Sequence, residues 1–219
     1  MTKHTLLWIF VMLGVLIFSP LITPASTFER ETLSELTDAV KWYGEEESNQ
    51  MVERAHGIYD VLMVKTGVNK LVSYYSTPAN MELAPGVPLP AHLRDQSIML
   101  LDYWRNFGAN MWLFSLRVAH IGLWLIYMSP FVAAIVFDGI MTRKAKLVSF
   151  KYTSPAIFNM AWHLIIAVSA LTTVLLAICV PLSAFVFPIA LASMGVLLRL
   201  MISKSNFWSL VKSLSRPRM

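Results

Sequence analysis

The chain has 219 residues, of which 56% are hydrophobic and 14% charged, with a formal net charge of +5. Soluble domains carry about 25% charged residues, so this composition argues against a water-soluble globular enzyme and for a membrane-embedded protein. The charge is also unevenly spread: the acids cluster between Phe28 and Asp102, and every charged residue from Arg143 onward is basic. The single cysteine, Cys179, allows no internal disulfide and no thiolate metal cluster.

Lys3-His4 leads into an apolar run from Thr5 to Ile22, long enough for a bilayer-spanning helix. The run exceeds the roughly 7–15 residues of a signal-peptide core, so residues 1–27 read as a retained first transmembrane helix rather than a leader cut near Pro24-Ala25-Ser26. Residues 28–108 read as a helical extracytoplasmic region. Thr32-x-x-Glu35 and Ser34 offer capping chemistry, and Leu33, Leu36, Val40 and Tyr43 recur at helical spacing. After Gly44 a second run places Met51, Ala55, Ile58 and Leu62, with Met63 or Lys65, near one stripe, and Gly67 ends it. A short helix over Val68 to Tyr75 follows. Pro78, Pro85, Pro88 and Pro90 then forbid a helix and predict an extended connector.

From Ala91 to Met141 only Pro130 interrupts a helical pattern, which predicts one long helix, kinked at Pro130, entering the membrane near Arg117. Arg117 to Asp138 spans about 32 Å of helix, the thickness of a hydrocarbon core. Residues 109–141 are thus the second transmembrane helix, and 142–154 a basic loop. Short loops rich in Lys and Arg stay in the cytoplasm. Ser154-Pro155 suits the start of a third span, Pro181 marks a tight turn, and a fourth span runs to about Met201, so residues 155–203 form a hairpin. The tail, 204–219, is basic and amphipathic and lies along the membrane surface. The expected fold is all-α, integral to the membrane, with four transmembrane helices. Both termini are expected on the cytoplasmic side.

There is no Gly-rich phosphate loop, no His-Glu-x-x-His and no nucleophile elbow, so the reading is non-enzymatic, without metal or cofactor. Ionisable and polar groups inside the membrane are the first candidates for function. Asn159, His163, Ala170 and Thr173 share a helical face expected to point into the bundle, where His163 is either a ligand or proton site or a packing hydrogen bond. Arg117 and His120, one turn apart, are expected to snorkel to the outer headgroups. Asp138 is expected to pair with Arg143, with Gly139 allowing close helix approach, or to serve as a docking element. Ala190, Ser193, Met194 and Gly195 form a small-residue surface that faces either this chain or a second copy.

Within 137–163, the order Asp138-Gly139, Arg143-Lys144, Phe150, Tyr152-Thr-Ser-Pro, Ala161 and His163 resembles TraJ-type inner-membrane proteins of conjugative plasmids and integrating conjugative elements. The resemblance implies a partner of the type IV coupling ATPase, the hexameric motor that delivers the relaxase–DNA complex to a type IV secretion channel. It makes Asp138, Gly139, Arg143, Lys144, Lys146, Lys151 and Tyr152 the partner-binding candidates. Anionic lipid headgroups are the other expected contact of the basic loop. A homo-oligomer is compatible with the sequence, and direct nucleic-acid contact is not expected. The alternatives are a small transporter or channel with a polar site around His163, and an extracytoplasmic sensor built on residues 28–107.

Overall fold

A computed structural model describes residues 2–75, 91–149 and 155–204, and among these every regular element is helical. The elements are α1 (Thr2–Ile22), α2 (Ala25–Tyr43), α3 (Glu45–Tyr59) continued by a π-helical turn (Asp60–Lys65), α4 (Val68–Tyr75), α5 (Ala91–Val148), α6 (Pro155–Ala177) and α7 (Val186–Lys204). The proline-rich connector, Ser154 and the C-terminal tail lie outside the described residues, as do the candidates Lys151 and Tyr152.

Three stretches are long and apolar enough to cross a membrane: Met99–Lys146 in α5, Ala156–Ala177 in α6, and α7. The pair α1–α2, bent by 117° at its break, brings the count to as many as four. This is the make-up of a multi-pass membrane protein. Six charged residues from Glu29 to Lys41 mark α2 as an amphipathic helix rather than a continuation of the α1 span.

The chain divides into two compact units. The first comprises Met1–Leu123 and Thr172–Phe187. Its centre is the stretch of α5 from Asn110 to Leu123, buried on most of its circumference. Ala39, Met51 and Ala55 from α2 and α3 close over Leu116 and Ala119. Leu16, Met63 and Ala177 gather around Met111. Helix α1 docks through a specific chemical repair. Pro20 has no N–H, so the Leu16 carbonyl four residues earlier lacks its helical donor, and Asn110 Nδ2 donates to it at 3.0 Å. Pro24 leaves the Pro20 carbonyl in the same condition, and Asn106 Nδ2 donates to that one at 3.0 Å. The Oδ1 of Asn106 accepts the Ala25 N–H at 2.7 Å and so caps the start of α2.

That cap corrects the expected start of the helix. Thr32, Ser34 and Glu35 are interior to α2, and Thr32 Oγ1 donates back to the Phe28 carbonyl at 2.8 Å. The expected apolar stripe is met in part: Leu36 and Tyr43 pack against the core. Leu33 and Val40 are exposed, while Phe28, Thr32, Glu35 and Ala39 form the buried face. In α3 the π-helical turn adds a residue to the repeat, so Met63 reaches the core and Leu62 does not. Gly67 ends this run as expected, at φ 79°.

The second unit comprises Trp124–Leu171 and Pro188–Met219. Helix α5 runs unbroken through Pro130, because Ser129 Oγ donates at 2.8 Å to the Ile126 carbonyl that the proline leaves without a donor. It also continues to Val148, so Arg143, Lys144 and Lys146 lie on a helix and not in a loop. Two glycines bring α5 and α7 together. A Cβ on Gly139 would meet the Arg199 backbone at 3.3 Å, and one on Gly195 would meet Ile135 and Val132 at 3.7 and 3.8 Å. Gly195, in the small-residue surface of α7, is therefore turned toward α5 of the same chain.

Candidate functional site

In the first unit the side chains with most at stake are Arg117 and Glu35. Arg117 is wholly buried, against the expectation that it snorkels, and its guanidinium is filled on every edge. Nε and Nη2 donate to Glu35 Oε1 at 3.0 and 2.6 Å. Nη2 also donates to the Val180 carbonyl at 2.6 Å, and Nη1 donates to the carbonyls of Leu175 and Ile178. Helix α6 ends at Ala177, so Leu175 offers a carbonyl of the last turn, Ile178 and Val180 lie just beyond it, and the cation sits at the negative end of the helix dipole. Glu35 Oε1 also accepts the Leu182 N–H at 3.3 Å. Burial pushes the Glu35 carboxyl above its ordinary value, against the downward pull of Arg117 and of the Leu182 amide.

Two turns along α2, Tyr43 makes the second attachment to the segment between α6 and α7. Its hydroxyl lies 2.7 Å from His120 Nε2 and 3.2 Å from the Ala184 carbonyl. One hydroxyl carries one hydrogen, so donation to Ala184 requires the proton of His120 to sit on Nε2. The His120 ring packs edge-on against Phe187 at 5.1 Å. The turn 178–185 is thus held by two residues of α2 and two of α5. The arrangement is a structural lock of charge-assisted bonds, and among the described residues no cluster of three or more His, Cys, Asp or Glu could hold a metal ion.

In the second unit, Asp138 makes its ion pair with Arg199 of α7, where the sequence suggested Arg143. The reason is the approach of the helices at Gly139, one residue on, which brings the Arg199 backbone against α5. Lys146 Nζ donates to the Ser203 carbonyl at 3.4 Å, near the end of α7. Of the partner-binding candidates, Asp138 and Gly139 are therefore brought together with α7, and Arg143, Lys144 and Lys146 follow within three turns along α5.

The expectation for α6 is met only in part: Ala170 of the expected inward face is buried and Thr173 half-buried. Asn159 and His163 are exposed, and the buried residues of that helix are Ala161, Ala170 and Ala177. Small residues pack inward because they let neighbouring backbones approach, leaving the polar pair outside. A transport pathway lined by His163 required the opposite orientation. The residues sequence reasoning missed are Glu35 and Tyr43. Phe28, Thr32, Glu35 and Ala39 follow steps of four, three and four, and an acid inside such a stripe was the available signal.

The fold and these contacts define an all-helical, multi-pass membrane protein. A family model described as "IncC plasmid conjugative DNA transfer protein DtrJ-like" matches residues 23–207, most of the chain. The chain belongs to this DtrJ-like family, and with it to the proteins of plasmid conjugative DNA transfer. The resemblance carried by residues 137–163 is met at that level. No curated protein matches the chain, and no solved structure does.

Proposed function

We propose that this protein is a non-enzymatic inner-membrane component of a plasmid conjugation system, which anchors, assembles or regulates the hexameric coupling ATPase during DNA transfer. The observation that carries the reading is membership of a conjugative-transfer family over residues 23–207. The arrangement of charge supports it. Arg143, Lys144 and Lys146 ride on the last turns of a 58-residue helix, so they are presented on a stiff element. Asp138 and Arg199 join that element to α7 just before the basic turns begin. On this reading the basic end is cytoplasmic, faces the ATPase and the anionic headgroups beside it, and both termini lie on the same side.

The test is co-expression of the tagged protein with the coupling ATPase of the same transfer system, followed by purification in mild detergent. A variant with Arg143, Lys144, Lys146 and Lys151 reversed in charge is run in parallel. Co-purification lost in the reversal places the contact on the basic end. Co-purification kept in the reversal moves it to the membrane helices. Absence of co-purification in every detergent overturns the proposal.

A further inference from the structure

The exposed face of α6 is chemically unusual for a membrane span. Met160, His163, Ala167 and Leu171 follow steps of three, four and four, Ala156 lies in line one turn before Met160, and Asn159 flanks His163 one turn away. All six are exposed. His163 stands about 12 Å along the helix from Pro155, well inside a span of this length. Lipid tails offer neither donors nor acceptors, so a surface carrying an amide and an imidazole at that depth is under pressure to find a polar partner.

We propose that this face is the contact between two copies of the chain, which associate side by side through α6 around a two-fold axis along the membrane normal. Three features select a second copy. Asn and neutral His each carry both a donor and an acceptor, so the pair is complementary to itself. A copy in the same bilayer presents the same groups at the same depth by construction. The alanines at 156 and 167 let the two backbones approach, and the three-four-four spacing, eleven residues in three turns, is that of a right-handed pair of helices. The glycine surface of α7 does not compete, because Gly195 is already against Val132 and Ile135 of its own chain. In the pair, His163 meets the same residue of the second copy, and Asn159 reaches across from the flank. One buried polar layer of this kind fixes register and the number of helices.

The test uses the full chain in native membranes without the coupling ATPase, in a Cys179→Ser background. Single cysteines replace Met160, Ala167 and Leu171 on the exposed face, and Ala161 and Ala170 on the buried one. Oxidation is expected to give disulfide-linked dimers from the first three and none from the last two. In parallel, energy transfer between labelled copies in liposomes compares the parent with Asn159→Leu/His163→Leu and with Asn159→Gln/His163→Asn. The leucine pair is expected to weaken association about tenfold or more, and the polar pair to retain it, since interhelical hydrogen bonds contribute modestly but specifically in membranes. Unchanged association of a leucine pair that stays monodisperse overturns the proposal. So does cross-linking equal at all five positions, or an adduct only with a different protein.

Discussion

Arg117 and Glu35 meet across 82 residues of chain, with the guanidinium fully buried and the carboxylate nearly so. Neutralising one partner leaves the other charged and without its counter-ion. Glu35→Gln is therefore expected to cost about 3–5 kcal/mol, which is the scale for breaking a buried ion pair. Thermal unfolding in detergent reads the loss. Replacing both residues together, Glu35→Leu with Arg117→Met, is expected to recover part of it, because neither charge is then stranded.

Tyr43→Phe removes the hydroxyl that holds the Ala184 carbonyl and His120 but keeps the ring. The expected cost is about 1 kcal/mol, a drop in Tm of roughly 2–4 °C for a chain of this size. Cys179 gives a second readout, since it is the only cysteine and lies in the segment that Tyr43 and Arg117 secure. Its rate of maleimide labelling is expected to rise in Tyr43→Phe and to rise further in Glu35→Gln. A rate unchanged in both would mean that these bonds do not hold the turn.

Asn110→Leu tests the proline repair. The variant is close to the parent in volume but leaves the Leu16 carbonyl buried without a donor, at an expected cost of about 1–3 kcal/mol. Restoring a backbone donor by Pro20→Ala in the same chain should return much of that stability.

The two glycines of the α5–α7 contact should respond differently. Gly139→Ala sets a methyl group at 3.3 Å from backbone atoms, which cannot move aside as a side chain can, and is expected to cost about 1–3 kcal/mol. Gly195→Ala meets only ordinary contact distances and is expected to be tolerated. Gly57→Ala, on an exposed turn of α3 with open space around it, is expected to stabilise by about 0.5–1 kcal/mol.

Asp138→Asn separates stability from function. The Asp138–Arg199 pair is half-exposed, and such pairs contribute about 0–1 kcal/mol, so folding should change little. If the basic end of α5 is the docking element, transfer frequency should fall at unchanged protein level.

What the sequence made legible was the helical pattern and the membrane character, because both rest on runs of apolar residues that need no knowledge of neighbours. Gly44, Gly67, Ala91 and Pro155 marked boundaries through local backbone chemistry. The buried polar core was not legible in the same way. Whether Arg117 points to headgroups or to a carboxylate depends on where Glu35 ends up, and no local pattern links the two residues. The same holds for Asp138, whose partner was decided by the close approach at Gly139. In α6 the error was of another kind. The rule that polar residues of a span face inward assumes that the chain alone completes the structure, and of the expected face Ala170 points inward, beside Ala161, while Asn159 and His163 do not.

The bonds around Arg117 also impose an order on biosynthesis. Glu35 is made first, Arg117 about eighty residues later, and the carbonyls of Leu175, Ile178 and Val180 only when most of the chain has left the ribosome. Until then the nascent protein carries an arginine in α5 whose full set of acceptors does not yet exist. A chain truncated before the α6–α7 turn, or one whose last two spans fail to insert, keeps that incomplete charge in a membrane setting. Quality-control proteases that recognise unmet polar groups within the bilayer would then have a mark by which to tell the unfinished protein from the finished one.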